Sequence, residues 1–142
     1  MSRSPSVLYV CVKNGGKSQM AAALMRHVAG DAVEVHSAGT HPGTSLNAES
    51  RRVVEEIGAT FSGEHPKPVD PALLDSVDRV VVLGAEAHVE APGRAPDRAP
   101  VEVWEIDEPS LRGVEGLERM RLVRDDILRR VRAQADDLLD GS

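Results

Sequence analysis

Cysteine and aromatic residues are the scarcest components of this chain. Its 142 residues include one cysteine, Cys11, and only 2% aromatic residues. A single cysteine excludes a disulfide within the chain, so a secreted, disulfide-stapled fold is not expected. With few aromatic rings, the core has to be built from Val, Leu, Ile and Ala. The length is sufficient to bury one such core, which predicts a single domain over residues 1–142.

An excess of basic charge and long apolar segments are also missing. The formal net charge is −6, whereas nucleic acid or an anionic membrane surface requires a basic face. No stretch is apolar enough to span a bilayer or to serve as the core of a signal peptide. The five histidines lack the spacing of metal ligands. We therefore expect a cytoplasmic enzyme or binding protein without a metal, nucleic-acid or membrane partner.

Short apolar runs alternate with helix-compatible segments along the chain. Strands are predicted at 7–10, 33–36, 79–83 and 101–104. Helical segments are predicted at 18–28, 47–58, 70–74 and 117–138. This alternation is typical of an α/β domain with a parallel sheet and helices on both faces. A central first strand gives the order 2-1-3-4 and a ligand-binding switch point at the carboxyl end of that strand.

Cys11 stands at this switch point, ahead of a glycine- and lysine-containing loop that leads into a helix. Backbone N–H groups of such a loop can form a nest for an oxyanion, and the helix N-terminus adds partial positive charge. The predicted oxyanion-binding residues are Val12, Lys13, Asn14, Gly15, Gly16, Lys17 and Ser18. Cations and a helix N-terminus favour ionisation of a cysteine, so we expect Cys11 to be a nucleophilic thiolate.

The details of the loop lead to further expectations. Gly15 and Gly16 are expected to adopt the unusual backbone torsions, and Asn14 is the non-glycine residue that tolerates them best. Ser18 can hydrogen-bond the thiolate or the leaving oxygen. The loop is not a nucleotide-binding Walker motif, because position 11 is cysteine rather than glycine. An inert buried cysteine beside an ordinary turn is the alternative, which the clustering of these features disfavours.

Segment 11–21, Cys-x5-Lys-Ser-Gln-Met-Ala, resembles the signature of the low-molecular-weight protein tyrosine phosphatase fold, and specifically of its arsenate reductase branch. Four later segments resemble other motifs of the same family: 36–40, 67–68, 104–109 and 124–127. The resemblance extends over nearly the whole chain. It implies a low-molecular-weight tyrosine phosphatase-like fold.

Two departures from the family pattern narrow the expected function. The signature arginine is replaced by Lys17, which supplies charge without a planar bidentate fork. This Gly-Gly-Lys variant resembles the actinobacterial, mycothiol-linked arsenate reductases. The two extra cysteines of the thioredoxin-linked branch fall at Gly84 and Ala91, so Cys11 has no internal thiol partner. The resemblance thus implies an arsenate–mycothiol transferase: arsenate and mycothiol are its substrates, a mycoredoxin releases arsenite, and no cofactor is bound.

A general acid and one supporting residue are also implied by the resemblance. The family places an aspartate directly before a proline, a position that Glu108 occupies here, with Asp107 preceding it. Either carboxyl can protonate a leaving oxygen, and the shorter Asp107 is favoured because Glu108 is expected to turn outward. Ser37 is expected to hold Asn14 in its loop conformation. The arginine-rich 119–132 is interpreted as a solvated helix face.

Two alternatives remain open on the sequence. The first is a phosphomonoesterase on the same scaffold, with Cys11 forming a phosphocysteine; aromatic residues that sandwich a phenol ring would support it. The second is a non-catalytic oxyanion-binding protein. The presence of the only cysteine at the predicted anion cradle speaks against this second alternative.

Overall fold

A parallel four-stranded sheet forms the centre of the structure, which is a computed structural model that describes residues 4–84 and 100–140. Its strands are β1 (Ser6–Cys11), β2 (Glu34–Gly39), β3 (Arg79–Leu83) and β4 (Glu102–Trp104). All neighbouring strands are parallel, and their order is β2-β1-β3-β4. The predicted sheet order is confirmed, with β1 in the interior and Cys11 at its carboxyl end.

Helices cover both faces of this sheet. They are α1 (Lys17–Ala29), α2 (Ala48–Glu55), α3 (Pro71–Ser76) and α4 (Gly116–Asp140). Alternate side chains of β1 serve the two faces, as the pleat of a strand requires. Val7 and Tyr9 join the core formed with α1, α2 and α4, whereas Leu8 and Val10 join a smaller cluster that includes Leu74 of α3. The predicted α/β class with helices on both faces is confirmed.

Side chains at the first residues of the predicted segments 47–58 and 70–74 cap the starts of α2 and α3. The Asn47 side chain accepts a hydrogen bond from the N–H of Ser50 at 2.7 Å, and the Asp70 side chain accepts one from Ala72 at 3.0 Å. Each satisfies an N–H group that the first helical turn leaves unpaired. β2 extends beyond the predicted 33–36 because its pairing with β1 continues to the end of that strand.

The long helix α4 carries the predicted apolar stripe and one unexpected buried cation. Val123, Ile127 and Val131 are fully or almost fully buried. Arg124 is only 9% exposed, and its Nη1 donates to the carbonyl of Val53 at 2.9 Å. Carbonyls in the last turn of a helix lack a partner within the helix, and Arg124 supplies one to α2. The interpretation of 119–132 as a purely solvated face is therefore wrong at Arg124.

Some of the predicted features lie in a segment that the structure does not describe. Ala91 and most of the predicted loop 84–100 lie outside the described residues. Across 4–84 and 100–140, no helix has the length and apolar character needed to cross a membrane. The same two segments hold no group of three or more His, Cys, Asp or Glu side chains that could ligate a metal ion.

Truncating the core face of α4 should destabilise the fold. Ile127→Ala removes a fully buried side chain and should lower the free energy of unfolding by about 2–5 kcal/mol. Leu122→Ala is the matched control, because Leu122 is 37% exposed on the same helix and its loss should cost less than about 1 kcal/mol. Urea unfolding followed by circular dichroism measures both. Equal losses would contradict the assigned core face.

Candidate active site

The loop between β1 and α1 is held from outside by a neighbouring segment, residues 40–47. Four N–H groups of that segment donate to loop carbonyls at 2.7–3.0 Å: Thr40 to Cys11, His41 to Val12, Gly43 to Lys13 and Asn47 to Gly15. These hydrogen bonds satisfy four of the loop carbonyls. Backbone N–H groups of a loop beside the N-terminus of a helix, here α1, are the features of an anion-binding site.

Asn14 fixes the turn of this loop. It has a φ of 53° and is the only non-glycine residue with positive φ in the described part of the chain. Its buried side chain donates from Nδ2 to Ser18 Oγ at 2.8 Å, while its Oδ1 accepts from Gln19 Nε2 and from the N–H of Lys67, both at 3.1 Å. These hydrogen bonds hold a backbone conformation that is otherwise unfavourable.

The loop glycines are needed for space, which differs from the expectation. Gly15 and Gly16 do not have positive φ, so the prediction that they supply the unusual φ values is wrong; Gly16 departs from the common regions in ψ, which is −94°. A Cβ on Gly15 would lie 2.9 Å from the carbonyl oxygen of Ser45. Gly39 serves a similar purpose at the end of β2, where a Cβ would lie 2.7 Å from the Val12 carbonyl oxygen. Glycine thus lets these chain segments approach closely.

Ser37 does not make the expected contact with Asn14. Among the described residues, its hydroxyl accepts a hydrogen bond from Lys67 Nζ at 3.4 Å. The strand register explains the difference: Ser37 pairs with Tyr9, two positions before Cys11. Asn14 is instead held by Ser18, Gln19 and the backbone of Lys67. Gln19 and Lys67 both lie in segments that resemble family motifs, but their contacts with Asn14 were not predicted from the sequence.

The sulfur of Cys11 lies beside two polar groups. Ser18 Oγ is 2.8 Å from Cys11 Sγ, and the N–H of Asn14 donates to the sulfur at 3.3 Å. Because Ser18 already accepts a hydrogen bond from Asn14 Nδ2, its own hydrogen is available to the sulfur. Two polar groups are thus placed to donate to one sulfur. The predicted contact between Ser18 and Cys11 is therefore present.

An ion pair with Lys17 connects Glu108 to the loop. Lys17 Nζ lies 3.9 Å from Glu108 Oε2, while the other carboxylate oxygen accepts from Arg119 Nε at 2.7 Å and from Ser110 Oγ at 2.8 Å. The hydrogen bond from Arg119, with smaller contributions from Ser110 and Lys17, lowers the pKa of Glu108 to about 2. Glu108 is therefore directed toward the loop, contrary to the expectation that it turns outward.

Asp107 is engaged by a different arginine. Arg112 donates to its two carboxylate oxygens at 2.7 and 3.1 Å, and this hydrogen bonding lowers the pKa of Asp107. Both Asp107 and Glu108 are thus held as carboxylates at neutral pH. A group that is already ionised has no proton to donate, so the geometry favours neither as the general acid.

A cavity of about 680 Å³ lies beside the loop. Its walls come from Lys13 and 15–17 of the loop, from 43–48, and from Arg119 and Met120 of α4. Lys13, one of the predicted oxyanion-binding residues, has an exposed side chain at this edge. Arg119 was missed by the sequence analysis because nothing in the repeated arginines of 119–132 distinguishes it.

The chain belongs to the low molecular weight phosphotyrosine protein phosphatase family. The match to this family covers residues 6–138. One relative is the arsenate reductase of Bacillus cereus (strain Q1). The two sequences are 30% identical, over 93% of this chain and 95% of that protein.

Solved structures share the fold. A Corynebacterium glutamicum thioredoxin-dependent arsenate reductase matches with a TM-score of 0.78 and 29% identity. The match covers 99% of this chain but only 65% of the Corynebacterium chain. A structure described as an arsenate reductase in the phosphate binding state has a TM-score of 0.79 and 25% identity, with coverage of 94% and 98%. Together these similarities confirm the fold family that segment 11–21 indicated.

The Ser18 contact should make Cys11 more reactive. Ser18→Ala should slow alkylation of Cys11 by iodoacetamide at neutral pH by about three-fold or more, because the thiolate loses a hydrogen bond. Mass spectrometry of the time course measures the rate. Ser62→Ala, at an exposed serine outside the loop and its cavity, is the control and should react like the unmodified chain. Equal rates for all three proteins would mean that Ser18 does not direct its hydrogen at the sulfur.

Proposed function

We propose that this chain is an arsenate reductase of the arsenate–mycothiol transferase type. The observation that carries the proposal is the sulfur of Cys11, which receives hydrogen bonds from Ser18 and Asn14 at the base of an anion-binding loop. The names of relatives supply the substrate class, since arsenate reductases are among them. Lys17 adds positive charge at the mouth of the same loop.

Arsenate would bind with its oxygens toward the loop N–H groups and Lys17. Cys11 attacks arsenic first and replaces one hydroxyl, which leaves as water. The mycothiol sulfur then displaces Cys11 from arsenic, giving a mycothiol–arsenic(V) adduct and restoring the thiolate. In the last step a mycoredoxin thiolate attacks the sulfur of that adduct. A mixed disulfide forms, and arsenic leaves with the electron pair as arsenite.

The ion pairs at the site indicate where the proton for the departing hydroxyl comes from. Glu108 and Asp107 are both held as carboxylates by arginines. Arsenate near neutral pH carries one or two protons of its own, and in the singly charged form a second hydroxyl can give its proton to the departing one. These protons can complete the departing water, so the exchange does not require a carboxylic acid in the protein.

The choice of mycothiol as the thiol donor rests on the sequence. Cys11 is the only cysteine among the 142 residues, so no second thiol of this chain can resolve an adduct on it. The Corynebacterium glutamicum structure is, by its name, thioredoxin-dependent. Mycothiol is supported here by the Gly-Gly-Lys variant of the loop. A reducing, cytoplasmic location is part of the same proposal.

Arsenite formation with different reductants tests the function. The chain, arsenate, mycothiol and mycoredoxin should together produce arsenite, whereas glutathione with glutaredoxin, or thioredoxin alone, should not. Cys11→Ser should abolish formation of the mycothiol–arsenic adduct, measured by mass spectrometry, because the loop loses its nucleophile. The exposed Ser62→Ala variant is the control and should retain adduct formation, because Ser62 lies away from the loop and its cavity.

Two outcomes would overturn parts of this proposal. An aryl phosphate assayed in parallel tests the phosphomonoesterase alternative; phosphate release without arsenite formation would establish that activity instead. Adduct formation that survives in Cys11→Ser would remove Cys11 from the covalent sequence. Arsenite formed only with thioredoxin would replace mycothiol as the electron source while retaining the reductase assignment.

A further inference from the structure

Glu108 lies between two cations that reach it from different parts of the chain. Lys17 comes from the first residue of α1, and Arg119 comes from the first turns of α4. Lys17 Nζ is 3.9 Å from one carboxylate oxygen, and Arg119 Nε is 2.7 Å from the other. All three side chains are about one quarter to one third exposed, so their charges are only partly screened by solvent.

The two contacts differ in strength. The Arg119–Glu108 distance is that of a charge-assisted hydrogen bond, and Ser110 donates to the same oxygen at 2.8 Å. The following residue, Pro109, is buried and restricts the backbone at this point. Glu108 is therefore fixed. Lys17 is held by a longer contact on a flexible four-carbon stem, so it can exchange one anion for another.

The loop offers Lys17 a second anionic partner. Lys17 lies in the segment that would enclose arsenate, and a doubly charged oxyanion there attracts the ammonium group that Glu108 holds. A bidentate arginine would be pre-oriented toward the loop, whereas a lysine takes its direction from the nearest charge. The carboxylate of Glu108 also repels an incoming oxyanion directly.

We propose that Glu108 and Arg119 are positioning residues that set the oxyanion affinity of the loop by controlling how tightly Lys17 is held outside it. Glu108 gives Lys17 a resting position and competes with the oxyanion for it. Arg119 neutralises Glu108 and thereby weakens its hold on Lys17. The identity of the oxyanion rests on the proposed function, but the competition itself applies to any tetrahedral oxyanion.

Inorganic phosphate is the probe, because it has the tetrahedral shape of arsenate and its binding does not depend on reductase activity. Calorimetry measures its dissociation constant for each variant. Glu108→Gln should tighten phosphate binding by about three- to ten-fold, since Lys17 is released. Arg119→Ala should weaken binding by a similar factor because Glu108 then holds Lys17 alone. Arg119→Lys keeps the charge and should retain most of the affinity.

A double-mutant cycle separates action through Lys17 from simple repulsion. In a Lys17→Ala background, Glu108→Gln should change phosphate affinity much less than it does in the unmodified chain. Equal tightening in both backgrounds, or weaker binding on Glu108→Gln, would overturn the proposal. If a Glu108 variant does not fold, a comparison of Arg119→Ala with Arg119→Lys decides, since equal affinities would also overturn it.

The control is an arginine of the same helix at a distance from the loop. Arg121 makes an equally short ion pair, 2.7 Å, with Glu56. Arg121→Ala removes one positive charge and one ion pair from α4 without touching Glu108. Its phosphate affinity should stay near that of the unmodified chain. A loss as large as that of Arg119→Ala would show that the net charge of the helix, and not the contact with Glu108, sets the affinity.

Discussion

The hydrogen bonds of the Asn14 side chain are the constraint on which the site depends. They connect the loop to α1 through Ser18 and Gln19, and to the segment after α2 through the backbone of Lys67. The same residue has the positive φ that turns the loop. Because its side chain is fully buried, any movement of Asn14 leaves polar atoms unsatisfied in a place that water cannot reach. The turn and the position of the sulfur are thus secured by one residue.

The fold and the placement of Cys11 at the end of β1 could be predicted because their signals are local. The alternation of apolar runs with helical segments predicted the sheet order. Asn47 and Asp70, the first residues of two predicted helical segments, cap those helices with their side chains. The contact of Ser18 with Cys11 was foreseeable because both residues belong to one short loop at a strand-to-helix junction. In each case a few consecutive residues determine the geometry, so pattern and spacing carry the information.

The contacts that could not be predicted join distant parts of the chain. Whether Glu108 faces the loop depends on Arg119, and neither residue reveals this in its own neighbourhood. The glycines show a related limit: Gly15 has to be small because of Ser45, thirty residues later, rather than because of its own torsions. Steric limits and ion pairs of this kind arise only after the sheet has brought the segments together.

This division between local and distant residues has a consequence for the chemistry. Cys11, Asn14 and Ser18 lie in one short loop and are buried, so the position of the sulfur is fixed once β1 and α1 have formed. Lys17 is the flexible member of the loop, and the groups that control it lie outside the loop altogether. Changes near Glu108 can therefore alter how strongly an oxyanion is held while the sulfur keeps its place. Under the proposed function, a lysine in place of the arginine is consequently more than a weaker anion ligand, since its ion pair with Glu108 would place oxyanion binding under the control of a carboxylate that an arginine fork would largely ignore.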